Sequence, residues 1–529
     1  MAGALSVNEY FLNKSIFHYQ ITAASSLQNN LMIYREIKNR IAMIVVLSII
    51  AIVGSIKSFT VLGGDQSLFV VIAQMFDAGK ILYKDLFDFK QPGIFIFYFL
   101  AGKTLGWSDI GIHYFELGYW LIFSLVLYFS IKQYSLFYKN ELSSSLFPLF
   151  VIGVYYCNAT AFQLTQLEAL INVPLYLIVW LLDRAYKDEN NLLITYFLIG
   201  LLMGIVVLCK LIYSPIIFAF MLIHFIFCLK DKGLKHILIK QLPPIIIGFA
   251  IPITIFLNYV FTHHIENLVT DIFFKIPTQV IGLGDQVHPE RLWSSIKWFG
   301  KLMIIYLILA AIGIFLISKK ESHFFSMIIA WTIIGFSVIV IQKTSWWSYH
   351  FQLLYVPIAL FSVLALDYLI YHLLVYVGLN NSFKRIPIIL IILILVTHNQ
   401  FRSLQISLHS ENYSRLLGYD YAKNHALSVL NVLKEEDTIY VCGNPRKYLI
   451  TSRLPELSTN GWILEYQLDY QWENFYQEFR NKPPTYLFIS KEYENLIPTK
   501  QPKLWDFITT KYNQLSLEET GIWYKNSKN

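Results

Sequence analysis

The amino-acid sequence predicts an α-helical protein that crosses a membrane about eleven times, with interfacial helices in its first external loop and a small α/β domain at its C-terminal end. Three observations support this. Hydrophobic residues make up 56% of the 529 residues and charged residues only 15%, whereas a soluble domain has roughly 25% charged residues. The apolar residues form continuous blocks of about 15–22 residues, close to the ~20 helical residues that cross a bilayer core. After residue 400 the composition becomes more polar.

Eleven apolar blocks are interpreted as spanning helices, because they are too long for the alternating strands of a β-barrel. They lie near residues 41–60, 112–131, 144–162, 168–182, 193–209, 211–229, 242–262, 298–318, 323–342, 351–375 and 386–399. A further stretch, 94–106, is short and contains Lys103, so we expect it to lie in the membrane interface. The spans define a transmembrane domain over 41–399. It is preceded by an N-terminal segment over 1–40 and followed by a C-terminal domain over 400–529.

Basic residues indicate the orientation, because cytoplasmic loops carry an excess of Lys and Arg. If 94–106 does not cross, one side of the membrane receives the basic residues of the N-terminal segment and of five internal loops. They are Lys14, Arg35, Lys38, Arg40, Lys132, Lys139, Arg184, Lys187, Lys230, Lys232, Lys235, Lys240, Lys319, Lys320, Lys384 and Arg385. If it crosses, the five loops move outside. We therefore predict a cell (inner or plasma) membrane protein with a cytoplasmic N-terminus and an extracytoplasmic C-terminal domain.

The C-terminal domain is predicted to be α/β. Helix-like stretches lie near 413–435 and 468–480, and strand-like runs lie at 438–442, 485–489 and 521–525. Turn residues at 443–445 and 483–484 separate these elements. About 120 residues are enough for a small domain of this kind.

The segment after the first span is rich in charge. Residues 63–93 read GGDQSLFVVIAQMFDAGKILYKDLFDFKQPG and contain four Asp and three Lys. Ionisable groups at membrane depth are costly and are often functional. Asp65 also has a structural interpretation, because it follows two glycines and precedes an apolar run that ends at Gly79. Such a position is typical of a helix N-cap with a glycine stop, and the two roles can coexist.

This loop carries a resemblance to a known superfamily. Asp65, Ala78-Gly79, Tyr83-Lys84-Asp85 and Lys90-Gln91-Pro92 together resemble the first external loop of GT-C membrane glycosyltransferases. The resemblance is closest to the branch of the protein O-mannosyltransferases and lipid A aminoarabinose transferases (bacterial glycosyltransferase family 39-like). Two positions depart from the pattern. Gln66 stands where the family often has Glu, which argues against a role that needs a second adjacent acid. Gln91 replaces the first of two prolines, while Pro92 still suits a helix start.

The resemblance continues along the chain in the same order. Glu168 falls where the family carries a second acid, Lys210 ends a Gly-rich span, and His350 lies in a run that looks like the entry to a late span. The sequence at 438–455 resembles the family's appended outer domain. Each residue also has an ordinary interpretation: a lysine that snorkels from a span, an acid favoured by a helix start, and a histidine in an interfacial aromatic belt.

The resemblance implies transfer of a sugar from a polyprenyl-phosphate donor to a hydroxyl of a glycan, lipid or protein, with inversion. A carboxylate within hydrogen-bond reach of that hydroxyl can act as general base. Asp65 is the candidate base, with Glu168 as its support or alternative. The leaving phosphate needs cationic partners, and the candidates for donor binding are Lys90, Lys210, His350 and Arg291.

No cofactor is expected to be required, because the sequence lacks the His and Cys spacings of a metal site. Asp65 and Glu168 nevertheless offer oxygen ligands that a divalent cation could use. The expected partners are the lipid-linked donor, an acceptor and membrane lipid, and no nucleic acid. Two other functions stay open. A flippase or transporter predicts charges near the centres of spans and repeated halves, and a glycan polymerase or ligase would use a lipid-diphosphate oligosaccharide.

Overall fold

The computed structural model describes residues 37–85, 87–132, 134, 143–188, 190–278, 289–317, 322–342, 346–376, 382–407, 427–458, 462–518 and 520–527. Most of the predicted N-terminal segment 1–40 lies outside this set, as do 413–426 of the predicted helix near 413–435. The statements below concern the described residues.

The first part of the chain is helical. Its helices are α1 (Ile37–Lys57), α2 (Asp65–Asp77), α3 (Gly93–Leu105), α4 (Asp109–Ile131), α5 (143–158), α6 (Leu167–Lys187), α7 (Leu192–Cys209), α8 (Leu211–Lys232), α9 (Leu234–Thr262), α10 (266–275), α11 (Pro289–Phe315), α12 (Ser322–Ile341), α13 (Ser348–Tyr376) and α14 (Ser382–Ser407). Within the described ranges, nine of these are long and apolar enough to cross a membrane: α1, α4, α6, α7, α8, α9, α11, α12 and α13. The prediction of a polytopic helical membrane protein is confirmed.

The two other predicted spans correspond to α5 and α14. Helix α5 contains Pro148, and a π-helical turn, Leu149–Gly153, follows it directly, as expected where a proline disturbs the hydrogen-bond ladder. The helix ends at Asn158, four residues before the predicted boundary, because the chain turns at 161–165 instead. Helix α14 is apolar over Leu390–Ile406.

The first loop contains two short helices, as expected. Helix α3 has 13 residues, about 20 Å at 1.5 Å per residue, which is shorter than the ~30 Å hydrocarbon core. It begins directly after Pro92, whose φ of −66° suits a helix start. A helix of this length agrees with the expectation that 94–106 does not span the membrane, and its position in the interface stays a prediction.

Small residues let α7 and α9 pack closely. Gly200 and Gly204 are one turn apart on α7, and they face α9. A Cβ at Gly200 would lie 2.0 Å from the carbonyl oxygen of Ile245, and one at Gly204 would lie 2.4 Å from Pro252 Cγ. A Cβ at Gly248 of α9 would in turn lie 2.1 Å from the Phe197 carbonyl oxygen. This small-xxx-small contact is typical of membrane helices, whose backbones approach when no side chain intervenes.

The C-terminal domain is a small mixed sheet with helices. It comprises α15 (Leu427–Leu430), β1 (Ile439–Cys442), α16 (Arg446–Thr451), α17 (Asp469–Asn481), β2 (Tyr486–Ser490), α18 (Leu496–Lys500), α19 (Pro502–Lys511), β3 (Tyr512–Glu518) and β4 (Gly521–Asn526). The strand order is β1-β2-β4-β3, with β1 parallel to β2 and the other pairs antiparallel. The three predicted strands are confirmed. Sequence analysis missed β3, an edge strand of largely polar residues.

Candidate active site

Asp65 is the first residue of α2, and its carboxylate does not cap that helix. The N-cap position belongs to Gly64, whose φ is +53°. Within the described residues the Asp65 side chain contacts the Lys90 ammonium, at 3.6 Å, and no backbone N–H. The expected N-cap role of Asp65 is therefore wrong, while the expected stop at Gly79, with φ of +81°, is confirmed. The carboxylate is 22% exposed, so it is available for other chemistry.

Gln66 fastens the start of α2 to the α5–α6 turn. It is fully buried; its Oε1 accepts from the Gly63 N–H at 2.9 Å, and its Nε2 donates to the Leu164 carbonyl. Both ends of the amide are used in this anchor. The residue that replaces the family's second acid thus has a structural role, since a carboxylate could not donate to Leu164.

Lys90 is fixed beside Asp65 by the loop that carries it. Its N–H donates to Asp88 Oδ1 at 2.8 Å, its carbonyl accepts from the Tyr83 hydroxyl at 2.9 Å, and its ammonium lies 3.6 Å from Asp88 Oδ2. The ammonium also lies 5.0 Å from the centre of the Phe69 ring. The Tyr83-Lys84-Asp85 motif therefore supports the loop, because Asp85 likewise accepts from the Ile81 N–H.

The charge of Lys90 is stabilised by three carboxylates. Burial alone would lower the pKa of its ammonium, but the coulombic effect of Asp65, Asp88 and Glu168 outweighs burial and raises that pKa above its ordinary value. Burial raises the pKa of the Asp88 carboxyl, although Lys90 opposes the shift. Lys90 is therefore a cation at neutral pH.

Glu168, Lys210 and His350 form a second cluster at the start of α6. Glu168 is buried on the first turn, and its Oε1 accepts from the Lys210 ammonium at 2.6 Å and lies 3.8 Å from His350 Nε2. The Lys210 ammonium lies 5.5 Å from the Tyr213 ring. In the described part of the chain His350 Nδ1 has no hydrogen-bond partner. Glu168 does lie in the first turn of its helix, as the helix-start interpretation predicts. The snorkelling interpretation of Lys210 and the aromatic-belt interpretation of His350 do not describe these contacts with Glu168.

The two clusters belong to one electrostatic site. Glu168 acts on Lys90, and Tyr349 lies within coulombic reach of both Asp65 and Glu168. Five of the six predicted residues are thus brought together. Arg291 is exposed, and its guanidinium lies 5.8 Å from the ring of Trp347, three residues before His350. Its charge and that of Lys90 both act on Tyr466, whose ring packs on Phe89.

A buried carboxylate supports the turn before α6. Glu116 of α4 accepts from the Thr165 N–H at 3.0 Å and the Thr165 hydroxyl at 2.9 Å. It also accepts from Trp120 Nε1 at 3.1 Å and from the Tyr155 hydroxyl. Such a saturated carboxylate is well compensated for its burial, and it fixes the chain three residues before Glu168.

The C-terminal domain also supports the Asp65 loop. Arg446, the first residue of α16, donates from Nη1 to the Leu62 carbonyl at 2.7 Å, and its Nη2 lies 3.7 Å from Asp109 Oδ2. The Leu62 carbonyl accepts from the Ser67 hydroxyl as well, at 2.7 Å. The Leu62 carbonyl, three residues before Asp65, therefore accepts two hydrogen bonds, one from each of these side chains.

Sequence analysis missed Asp88, Glu116, Thr165 and Arg446 as contributors to the site. Asp88 had a local signal, since it lies in the charged loop two residues from Lys90. Glu116 was signalled by its position inside an apolar span, where an acid needs several donors. Thr165 and Arg446 had no signal, because their roles depend on contacts between distant segments.

No cluster of three or more His, Cys, Asp or Glu with metal-binding geometry occurs among the described residues. The carboxylates of the site are paired with cations: Asp65 with Lys90, and Glu168 with Lys210. The expectation of a metal-independent reaction remains a prediction.

Comparison with solved structures identifies the fold. ArnT from Cupriavidus metallidurans, a lipid A aminoarabinose transferase, matches with a TM-score of 0.54 in the apo state and 0.55 bound to undecaprenyl phosphate, at 12% and 11% identity. Each match covers 91% of this chain and 97% of ArnT. The oligosaccharyltransferase AglB from Archaeoglobus fulgidus matches with a TM-score of 0.50 at 13% identity, over 91% of this chain and 74% of AglB. Both are GT-C superfamily membrane glycosyltransferases.

The chain has the GT-C fold. This confirms the predicted architecture, in which a multi-pass helical domain carries an elaborated first loop and is followed by a small domain. No protein-family model and no curated protein matches the sequence. Because a GT-C fold shared at 11–13% identity does not define a substrate, the chemistry has to be argued from the site.

Proposed function

We propose that the protein is a glycosyltransferase that moves a sugar from a polyprenyl-phosphate donor to an acceptor hydroxyl on the outer face of the membrane, with inversion. The observation that carries the proposal is the position of Asp65. Within the GT-C fold, the partly exposed Asp65 carboxylate follows the first span and lies beside Lys90, on whose ammonium Glu168 also acts.

Asp65 acts as the general base. Its carboxylate is not used for capping, so it can accept a proton from the acceptor hydroxyl as the oxygen attacks the anomeric carbon. The bond from that carbon to the phosphate oxygen breaks in the same displacement, and the polyprenyl phosphate leaves with its electron pair. Glu168 is less suited to this role, because the Lys210 ammonium and the His350 ring enclose it.

The cations of the site stabilise the leaving phosphate. Lys90 and Lys210 each lie next to a carboxylate, and their side chains remain 21% and 19% exposed, respectively. His350 Nδ1, which no described residue engages, offers a further polar contact. Fixed charges in a partly dry site stabilise developing negative charge strongly because they need no reorganisation. Arg291, whose guanidinium lies 5.8 Å from the Trp347 ring, is an exposed cation that we assign to the rim of the donor site.

The structural neighbours support a lipid-phosphate donor. A crystal structure shows ArnT bound to undecaprenyl phosphate, and another structure shows AglB in complex with an inhibitory peptide and a dolichol-phosphate. By analogy, we assign to this chain a polyprenyl-phosphate sugar as donor, an acceptor that is a glycan, lipid or protein, a cytoplasmic N-terminus and an extracytoplasmic C-terminal domain.

The proposal is tested by transfer with purified protein. A pool of radiolabelled polyprenyl-phosphate sugars and a total envelope extract as acceptor would be incubated with wild type, Asp65→Asn and Asp77→Asn. The last variant is the matched control, since Asp77 lies at the other end of α2 and pairs with Lys103 at 2.9 Å. We expect transfer by wild type and Asp77→Asn, and a loss of at least about 100-fold in Asp65→Asn, since a positioned base contributes about 10²–10⁴-fold.

The other outcomes are equally informative. Full activity of Asp65→Asn would exclude it as the base and leave Glu168 as the candidate. Absence of transfer by folded wild type, with transbilayer movement of the labelled donor, would favour the flippase. Transfer from a lipid-diphosphate oligosaccharide alone would favour the polymerase or ligase.

A further inference from the structure

The turn between α5 and α6 contains a residue in an unusual conformation. Thr165 has φ of +51°, the left-handed region that a β-branched residue rarely adopts. Such a conformation persists only when the surroundings enforce it, and it is often found at functional sites. Thr165 lies three residues before Glu168.

Every polar atom of Thr165 is bonded. Its N–H donates to Glu116 Oε1 at 3.0 Å and to the Tyr155 hydroxyl at 2.8 Å, and its hydroxyl donates to Glu116 Oε2 at 2.9 Å. Its carbonyl accepts from the Tyr98 hydroxyl at 3.2 Å, and His113 Nδ1 lies 3.1 Å from its Oγ1. These contacts come from α3, α4 and α5, so the surrounding helices hold the left-handed backbone in place.

The same turn contacts three parts of the candidate active site. The Leu164 carbonyl accepts from Gln66, the neighbour of Asp65. Gln163 Nε2 donates to the Ser348 hydroxyl at 2.7 Å, and the Gln163 carbonyl accepts from Gln352 at 3.0 Å, so the two contacts flank His350. Glu168 follows on the next turn of chain.

We propose that the left-handed turn at Thr165, held by buried Glu116, sets the relative positions of Asp65, Glu168 and His350, which makes Thr165 a positioning residue. The inference rests on the proposed function, because the groups it aligns are the proposed base and the donor-binding residues. A change in the backbone at Thr165 would shift the Leu164 and Gln163 contacts together, and with them both ends of the site.

Thr165→Gly separates positioning from stability. Glycine adopts positive φ without strain. The variant therefore relieves the backbone and removes the hydroxyl contacts with Glu116 Oε2 and His113, while the backbone N–H and carbonyl of residue 165 keep their partners but are no longer confined to the left-handed region. We expect kcat of Thr165→Gly to fall about 10- to 100-fold, since a displacement of ~1 Å can cost about 10²-fold in rate. The KM for the donor should change less than about threefold, and the midpoint of thermal unfolding should not fall by much. Thr165→Asn, which tolerates left-handed backbone and keeps a donor for Glu116, should recover most of the loss.

Asn191→Gly is the matched control. Asn191 has φ of +56° immediately before α7, and it lies outside the site, so kcat should be unchanged. Hydrogen exchange gives a readout that does not depend on activity: in Thr165→Gly, amides of 62–68 and 348–354 should exchange faster than in wild type, while those of α7 should not.

The outcomes distinguish the inference from the proposed function. Wild-type kcat or unchanged exchange at 62–68 and 348–354 in Thr165→Gly would overturn the positioning role. A wild-type protein without transferase activity would overturn the proposed function, and the exchange measurement would still decide whether the turn aligns these segments.

Discussion

The ion pair between Glu168 and Lys210 offers a quantitative test of the site. The two charged atoms lie 2.6 Å apart, and the side chains are 5% and 19% exposed. We consider Lys210→Met, Glu168→Gln and the double variant. Each single change removes one charge and leaves the other in a largely dry environment, whereas the double change removes both.

The expected size follows from the geometry. At 2.6 Å and an effective dielectric constant of ~20, the attraction between unit charges is roughly 6 kcal/mol. Much of it compensates for desolvation, so the pair contributes far less to net stability than this attraction suggests. Removing one partner leaves an uncompensated charge and should cost about 3 kcal/mol or more, while the double variant should be no worse than either single one. The resulting coupling energy is about 3 kcal/mol.

The coupling can be measured from the free energy of unfolding in mixed detergent micelles, titrated with SDS and followed by far-ultraviolet circular dichroism. A matched cycle on Lys103 and Asp77, an ion pair with side chains 52% and 32% exposed, should show coupling below about 1 kcal/mol. If the costs of Lys210→Met and Glu168→Gln simply add, the two charges do not form the compensated pair described above.

Two further predictions concern packing and pH. Gly200→Ala should lower the free energy of unfolding by about 1–3 kcal/mol, because its Cβ would lie 2.0 Å from the Ile245 carbonyl oxygen. Gly300→Ala is the control and should have no such effect, because its Cβ would meet no atom within 4 Å. Equal free energies of unfolding for the two variants would contradict the α7–α9 contact. The pKa of Lys90 is raised in the folded protein, so its charged ammonium stabilises the fold. This stabilisation is fully present below the unfolded pKa of ~10.4 and is lost as pH rises through the higher folded pKa. The difference in unfolding midpoint between wild type and Lys90→Met should therefore be constant from about pH 7 to 9 and shrink above about pH 10; a difference that already shrinks near neutral pH would contradict the raised pKa.

The architecture was largely predictable because its signals are local. Blocks of apolar residues define the spans, and Pro92 and Gly79 mark the limits of the two helices of the first loop. Five of the six predicted site residues lie together in the structure. They were chosen because their motifs follow, in order along the chain, those of the GT-C glycosyltransferases that the sequence resembles, and these motifs lie at the ends of helices.

The remaining features depend on tertiary contacts. The interpretation of Asp65 as N-cap was wrong because Gly64 can take positive φ and occupies the cap position itself. The roles of Gln66 and Thr165 depend on partners about 50 to 100 residues away, at Leu164 and Glu116. The role of Arg291 in donor binding stays a prediction.

The contact between Arg446 and the Leu62 carbonyl has a consequence for biogenesis. The two residues are 384 positions apart, which corresponds to about 20–80 s of translation at ~5–20 residues per second. During this interval the growing chain already contains Asp65, Lys90 and, later, Glu168 in the membrane. The Leu62 carbonyl gains its contact with Arg446 only after residue 446 has been synthesised and has reached the same face of the bilayer. A chain that ends before residue 446 therefore lacks this support of the Asp65 loop.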